Sequence, residues 1–454
     1  MATDITPATA AVASEVGADN DEERIAAAAA ARRAPGTPAA LPSFALTEDQ
    51  VTMRDWIHEF AEKTVRPAAE EWDEREETPW PILQEAAKAG IYSLDLLAQS
   101  WGDATGLMMP VVTEELFWGD AGIGLSIIGS HLACAGIFAA GTDEQIGSWL
   151  PRCFGTPDEI ALGAFAITEP DSGSDVGSLR TRARRDGDDW VINGTKCFIT
   201  NGGIADVHVV VATVDPALGH RGQASFVIGK GTEGLRQGAK HRKLGIRASH
   251  TAEVILEDCR VPAENLLGGI DRLEERIARA REAREAAAAG SPPARVARGQ
   301  SSALRTLEMS RPAVGAQAIG IARAAYEYAL AYAIERRQFG RAIIENQAIS
   351  LLLSDMAMEI DAARLLVWRA AWMGRTGQAF TRAEGSMAKL KAGEVANWVT
   401  DQAISVMGGW GYVRDHPVQR WHRDAKIYTL FEGTREIQRR VIARAISGGA
   451  SEPG

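Results

Sequence analysis

From Leu46 to about Leu150, apolar residues recur at helical spacing; from Ile160 to about Pro262 the period drops to two; after Leu304 it is helical again. The first segment opens with Thr47-Glu48-Asp49-Gln50, a capping box with Thr47 as N-cap and Gln50 at N3. Val51, Trp56, Ile57, Phe60 and Val65 follow on one face. The prolines of Thr78-Pro79-Trp80-Pro81 cannot continue a helix, so they mark a break. Further helices are expected at Ile82 to Ala89, Met109 to Phe117 with Pro110 tolerated in the first turn, and Ile127 to Ala140. In the middle segment, Trp190 to Ile199 reads as two strands joined across Asn193-Gly194, a strong hairpin signal. Val207 to Val214, Ala224 to Ile228 and Ala252 to Leu256 are further strands. The last segment carries long helices at Pro312 to Glu335, Asn346 to Arg375 and Ala383 to Val406.

These periods divide the chain into a mostly disordered tail (1–43), an N-terminal helical domain (44–158), a central β domain (159–267), a charged insertion (268–302) and a C-terminal helical bundle (303–449). The tail has helical tendency only over Glu22 to Arg33, ended by Pro35. In the insertion, Ile270, Leu273 and Ile277 form a narrow apolar stripe, as in a solvated helix; a partner-docking arm is the sharper alternative. Gly290-Ser291-Pro292-Pro293 ends it, and Ala294 to Ser302 has linker composition.

With 454 residues and 46% hydrophobic content, the chain can bury a large core, which excludes wholesale disorder. A net charge of -11 argues against nucleic acid as a partner. Cys134, Cys153, Cys197 and Cys259 form no CxxC pair, and His416 and His422 lack the spacing of a helical metal pair, so no metal is expected. No apolar run of about 18 residues stands out as a membrane span. The start lacks the layout of a secretory signal, and its acids count against a presequence. A cytoplasmic protein fits these features.

Candidate chemistry gathers in a few stretches. Glu432 follows the apolar run Ile427 to Phe431 and precedes Gly433, which suits a base with a raised pKa; an ordinary acid in the first turn of the last helix is the plainer alternative. Thr168 to Ser178 supplies hydroxyl and backbone donors for the polar edge of a ligand or for a phosphate, or simply forms a capped turn. Glu335-Arg336-Arg337-Gln338-Phe339-Gly340 places guanidinium forks where they could grip a pyrophosphate, or only favours a helix C-terminus. Lys243 to Thr251 is basic in the way of ordinary surface charge. Gly408-Gly409-Trp410-Gly411 follows a helical stretch and is no dinucleotide fingerprint.

Taken in order, Met407-Gly408-Gly409-Trp410-Gly411-Tyr412, Trp421-His422-Arg423-Asp424-Ala425-Lys426-Ile427-Tyr428 and Thr434-Arg435-Glu436-Ile437-Gln438-Arg439 resemble the C-terminal signature of the acyl-CoA dehydrogenases, flavoenzymes that desaturate acyl-CoA thioesters. Ala166-Ile167-Thr168-Glu169-Pro170-Asp171-Ser172-Gly173-Ser174-Asp175 resembles a second signature of that family. The likeness covers nearly all of Leu46 to Ser447 apart from the insertion. It implies an α+β fold with an N-terminal helical domain, a β-barrel-like middle and a C-terminal four-helix bundle. It also implies FAD and a homotetramer.

By resemblance, Thr168 contacts the isoalloxazine ring, with Phe165, Ile167 and Ile199 beside it, and Ser174 lies where the pyrophosphate and the acyl-CoA chain pass. Phe198 stands where the family most often has tryptophan, keeping the apolar wall without the indole N–H, and Thr200 bonds near the reactive flavin nitrogen. Arg336, Gln338, Phe339, Asn346, Gly408 and Gly409 would reach the FAD of a neighbouring subunit, with Thr434 and Glu436 completing the cofactor set. Ser405 is a departure, since relatives usually carry an acid or amide there. Some relatives place the catalytic glutamate at the position of Ser310; serine cannot serve as that base, so the chain resembles the medium-chain-like group that uses the later turn, here Glu432. Glu308 is the nearest rival acid, and Ser310, Arg311 and Gly433 belong with Glu432 at the substrate end.

The implied reaction removes the α proton to Glu432 and the β hydride to FAD, giving a trans-2-enoyl-CoA, with electrons passed on to an electron-transfer flavoprotein. A dehydrogenase of carrier-protein-bound acyl groups, a flavin monooxygenase and a scaffold that has lost flavin are the alternatives.

Overall fold

The structure, a computed structural model, describes residues 43–289 and 302–447; the expectations for the tail and for most of the linker fall outside them. The first helix, α1 (Glu48–Phe60), has the expected box: Gln50 N–H donates to Thr47 Oγ1 at 3.2 Å, and Thr47 N–H to Gln50 Oε1 at 3.0 Å. It runs through a π turn into α2 (Arg66–Arg75). Then come α3 (Trp80–Lys88), α4 (Leu94–Gly102), α5 (Met108–Gly119), α6 (Ala121–Ile128), α7 (Ser130–Ala140) and α8 (Asp143–Trp149). Helix α3 starts earlier than expected because Pro81 falls in its first turn, where a missing N–H costs nothing.

The expected single helix from Ile127 to Ala140 is two, meeting at Gly129. Together they span Ala121–Ala140, which at mean hydropathy 1.8 is long and apolar enough to cross a membrane, contrary to the expectation that no such run exists. Yet 72% of that stretch is buried inside the fold, so its apolarity is accounted for by the core.

The middle is a curled seven-stranded sheet in the order β1-β4-β2-β3-β7-β6, with β5 paired to β4. Its strands are β1 (Gly163–Ala166), β2 (Arg182–Asp186), β3 (Asp189–Thr200), β4 (Val207–Thr213), β5 (Gln223–Gly229), β6 (Leu235–Lys240) and β7 (Thr251–Pro262). The hairpin expected at Asn193-Gly194 is not there. β3 continues straight through it with a register shift, and the hairpin lies earlier, between β2 and β3, where Gly187 takes φ +65°. The Asn193 side chain is instead bound across to Asp258, donating at 3.1 Å and accepting from its N–H at 2.8 Å. Gly194 is needed because a Cβ there would lie 2.4 Å from Thr181 Oγ1.

The insertion begins as helix α9 (Gly269–Ala288), laid along the sheet domain. Leu273 and Ala280 are buried, Arg281 pairs with Asp215 at 2.8 Å, and Arg276 and Arg284 donate to the carbonyls of Gln223 and Ala217. Its apolar stripe is therefore covered by its own chain.

Three long helices follow: α10 (Ser302–Glu335), α11 (Gln347–Arg375) and α12 (Glu384–Met407). Pro312 does not begin α10, as the sequence suggested, but sits inside it. The cost of about 3 kcal/mol for an interior proline is offset by packing of Val314, Ala316, Ala318, Ile319 and Ile321 in the core. Short helices α13 (Gly409–Tyr412) and α14 (Val418–Ala425) and a 3₁₀ turn (Lys426–Thr429) lead to α15 (Arg435–Ile446). At Gly393 a Cβ would stand 2.5 Å from Tyr428 O, so that glycine lets the turn before Glu432 lie directly on α12.

Candidate active site

Glu432 is not in the first turn of the last helix. Thr434 is the N-cap, its hydroxyl accepting from Ile437 N–H at 3.3 Å, and Glu432 stands two residues outside with φ +53°. A non-glycine residue in that region needs its surroundings to hold it. Here the side chains of buried Lys389 and Gln438 do so. Lys389 Nζ donates to Phe431 O at 2.7 Å and to Gly433 O at 2.8 Å; Gln438 Nε2 donates to Glu432 O at 3.0 Å. Gly433 takes φ +91°, a backbone conformation that suits glycine and strains other residues. Below, Phe431 packs edge-on against Tyr428, whose hydroxyl donates to Gln317 at 3.1 Å.

Glu432 as a whole is partly accessible, and its carboxylate receives a hydrogen bond from Ser310 Oγ at 2.9 Å. Removal from water raises its pKa above the ordinary carboxylate value, while the Ser310 bond and the Lys389 and Arg311 charges hold it back. Arg311 in turn donates to Ser386 Oγ at 3.1 Å. Thus the structure brings Ser310, Arg311, Gly433 and Glu432 into one neighbourhood. The side chain of Glu308 lies outside the described residues.

A second neighbourhood surrounds Thr168, just past β1. Its carbonyl accepts from Cys197 N–H at 2.9 Å, which lays the segment beside the end of β3. Phe198 there is exposed at φ +57°, and Thr200 is partly exposed. Neither the Thr168 nor the Thr200 hydroxyl is engaged by protein among the described residues. Phe165, Ile167 and Ile199 are buried in the core, so a ligand would meet chiefly their main chain. Ser174 is exposed. Behind this surface Lys196, fully buried, donates to Glu169 at 2.8 Å and to Ile167 O at 3.0 Å. The other Glu169 bonds come from the N–H groups of Arg180 and Thr181 at 2.6 and 3.0 Å. Burial pushes the Glu169 carboxyl up, but Lys196 and these donors bring it below the ordinary range, while burial takes Lys196 down to about 8.

The remaining residues singled out in the sequence stand on the surface and bond neither neighbourhood among the described residues. Arg336, Gln338 and Phe339 are exposed on a small hairpin of β8 (Arg337–Gln338) and β9 (Arg341–Ala342), and Phe339, at φ +54°, is 96% exposed. Asn346 accepts from Arg341 at 2.6 Å. Ser405, Gly408 and Gly409 are exposed around the end of α12, and Glu436 is exposed and paired with Arg435.

Sequence reasoning missed Lys196, Lys389 and Gln438. The one signal for Lys389 was a lone lysine among Ala388, Ala392 and Gly393 on an otherwise small-residue face of α12.

Comparison with known proteins adds three matches of one kind along the chain: the acyl-CoA dehydrogenase N-terminal domain at 47–155, middle domain at 164–259 and C-terminal domain at 297–447. The acryloyl-CoA reductase (NADH) of Anaerotignum propionicum is 38% identical over 406 residues, covering 89% of this chain and 95% of that protein. The short-chain specific acyl-CoA dehydrogenase of Clostridium acetobutylicum is 37% identical over 410 residues, covering 89% and 99%. A chain solved in work on the electron transferring flavoprotein of Acidaminococcus fermentans superimposes with a TM-score of 0.78 at 37% identity, over 89% of this chain and 99% of that one.

Proposed function

The chain belongs to the acyl-CoA dehydrogenase family, an FAD-dependent oxidoreductase acting on acyl-CoA thioesters, and we propose that Glu432 is its base. The observation carrying this reading is the held turn: a carboxylate with raised pKa on a partly accessible residue, strained into place by Lys389 and Gln438 and bonded by Ser310. Glu432 takes the α proton of the thioester, turning it toward the enolate, while the β hydrogen leaves as hydride and a trans-2-enoyl-CoA results. Bound FAD supplies the acceptor for that hydride.

The protein's donors fit such a flavin. The hydroxyls of Thr168 and Thr200, unengaged among the described residues, and the exposed ring of Phe198 offer polar and apolar contacts beside the end of β3. Charge developing on the thioester oxygen is met by the Glu432 N–H, which has no acceptor among the described residues. Arg336, Gln338, Phe339, Ser405, Gly408 and Gly409, exposed in one chain, and the partly exposed Asn346 are assigned to a neighbouring subunit's cofactor in a homotetramer. An electron-transfer flavoprotein is the electron acceptor, and the protein is cytoplasmic.

Glu432→Gln tests the central assignment. FAD absorbance stays, and reduction by acyl-CoA slows by at least about 10²–10⁴-fold, the usual worth of a general base. Retained turnover removes Glu432 from the mechanism. Relatives named for short acyl groups make butyryl-CoA the first substrate, followed by long and branched thioesters.

A further inference from the structure

Lys389 is 1% exposed, projects from the second turn of α12, and places its ammonium on the two carbonyls that flank Glu432, those of Phe431 and Gly433. A peptide unit is planar and trans, so its N–H points opposite to its C=O. Fixing Phe431 O therefore fixes the direction of the Glu432 N–H, which shares that plane. Gripping Gly433 O from the same nitrogen fixes the following side of Glu432. Gln438 restrains the carbonyl between them and reaches Gly433 O at 3.3 Å; among the described residues Lys389 alone spans Glu432 from both ends. No ion pair within 4 Å joins Lys389 to Glu432 among the described residues, so the lysine adds its charge without occupying the carboxylate. The groups facing it are Glu432 and Arg311.

We propose that Lys389 is a positioning residue for the reaction: it aims both the Glu432 carboxylate and the Glu432 N–H at the thioester. The proposal rests on Glu432 being the base. Burial brings the Lys389 ammonium down to about 8, so it is charged at neutral pH and favours the ionised base nearby.

Acetyl-CoA separates the steps, because it carries α hydrogens and has no β carbon from which hydride could leave. Exchange of its α hydrogens into deuterated water, read by mass spectrometry with the flavin staying oxidised, reports the base and its aim alone. Glu432→Gln abolishes that exchange; exchange that survives it defeats the assignment of the base. With that control in hand, Lys389→Met retains FAD and a cooperative melt, slows exchange by about 10²-fold as expected for a misaimed group, and moves the rising limb of the pH profile upward because a positive neighbour is gone. A folded Lys389→Met with unchanged rate and unchanged limb overturns the proposal. If Lys389→Met does not fold, Lys389→Gln decides: its shorter, uncharged side chain cannot reach both carbonyls from one nitrogen, so slowed exchange with FAD retained is expected, and exchange at the wild-type rate overturns the proposal equally.

Discussion

Two buried lysines sit beside two signature glutamates in this molecule, and they treat them differently. In the sheet domain Lys196 touches the Glu169 carboxylate itself, at 2.8 Å, and two backbone N–H groups complete the site. In the C-terminal helical domain Lys389 touches only carbonyls on either side of Glu432, leaving the carboxylate to Ser310. The first glutamate is held below the ordinary pKa range and the second is raised above it. Burial raises both carboxyls; Lys196, bonded to the Glu169 carboxylate itself, outweighs it, while Lys389, bonded to the backbone beside Glu432, lowers that carboxyl without outweighing its burial.

The contrast breaks most visibly at Glu169. Glu169→Gln keeps the shape and leaves the Lys196 ammonium buried without its counter-charge, a loss of about 3–5 kcal/mol. A clear drop in melting temperature, with weaker FAD retention as the Thr168 segment loosens, is the expected result. An unchanged melt would mean that the pair contributes nothing to holding that segment.

Much of this layout is legible in the sequence, for identifiable reasons. The capping box at Thr47 works through three consecutive peptide units and needs no tertiary information. The long helices α11 and α12 match to within a residue or two because their apolar faces repeat over many turns. Asn193-Gly194 misled because local turn preference was overridden by a cross-strand bond to Asp258, a residue far away in the chain. Glu432 was visible as a candidate, but its left-handed backbone was not, since that depends on Lys389 and Gln438 arriving from other elements. Charge alone gave no hint that Lys196 and Lys389 lie inside.

The same Glu-to-Gln change acts in the opposite direction at position 432. A carboxylate whose folded pKa is raised binds its proton more tightly folded than unfolded, so its contribution to stability falls as pH rises above about 4.5, the ordinary value. Glu169, with its folded pKa lowered, contributes stability that is present above that value and lost as pH falls through the folded one. Melting curves from acid to neutral pH should therefore show Glu432→Gln gaining on wild type as pH rises. The gain is smaller than the Glu169→Gln loss, because Glu432 is partly accessible and has no buried ion pair to break. A neutral-pH melt below wild type would show that Glu432 stabilises the turn it occupies.

The finest test of the contrast is Ser310, the hydroxyl seen to donate to the Glu432 carboxylate. That bond favours the ionised form and opposes the effect of burial, so Ser310→Ala pushes the base's pKa further up. The rising limb of the pH profile for flavin reduction moves to higher pH, and the rate on that limb falls by the worth of one hydrogen bond, about 0.5–1.5 kcal/mol, or roughly two- to tenfold. At alkaline pH, where Glu432 is ionised in both proteins, the deficit shrinks, because what was lost is the bias toward the anion. Ser310→Thr keeps the hydroxyl and should keep the wild-type limb. A deficit of equal size at every pH would instead mean that Ser310 acts by packing, and that burial and the Lys389 and Arg311 charges alone set the proton affinity of Glu432.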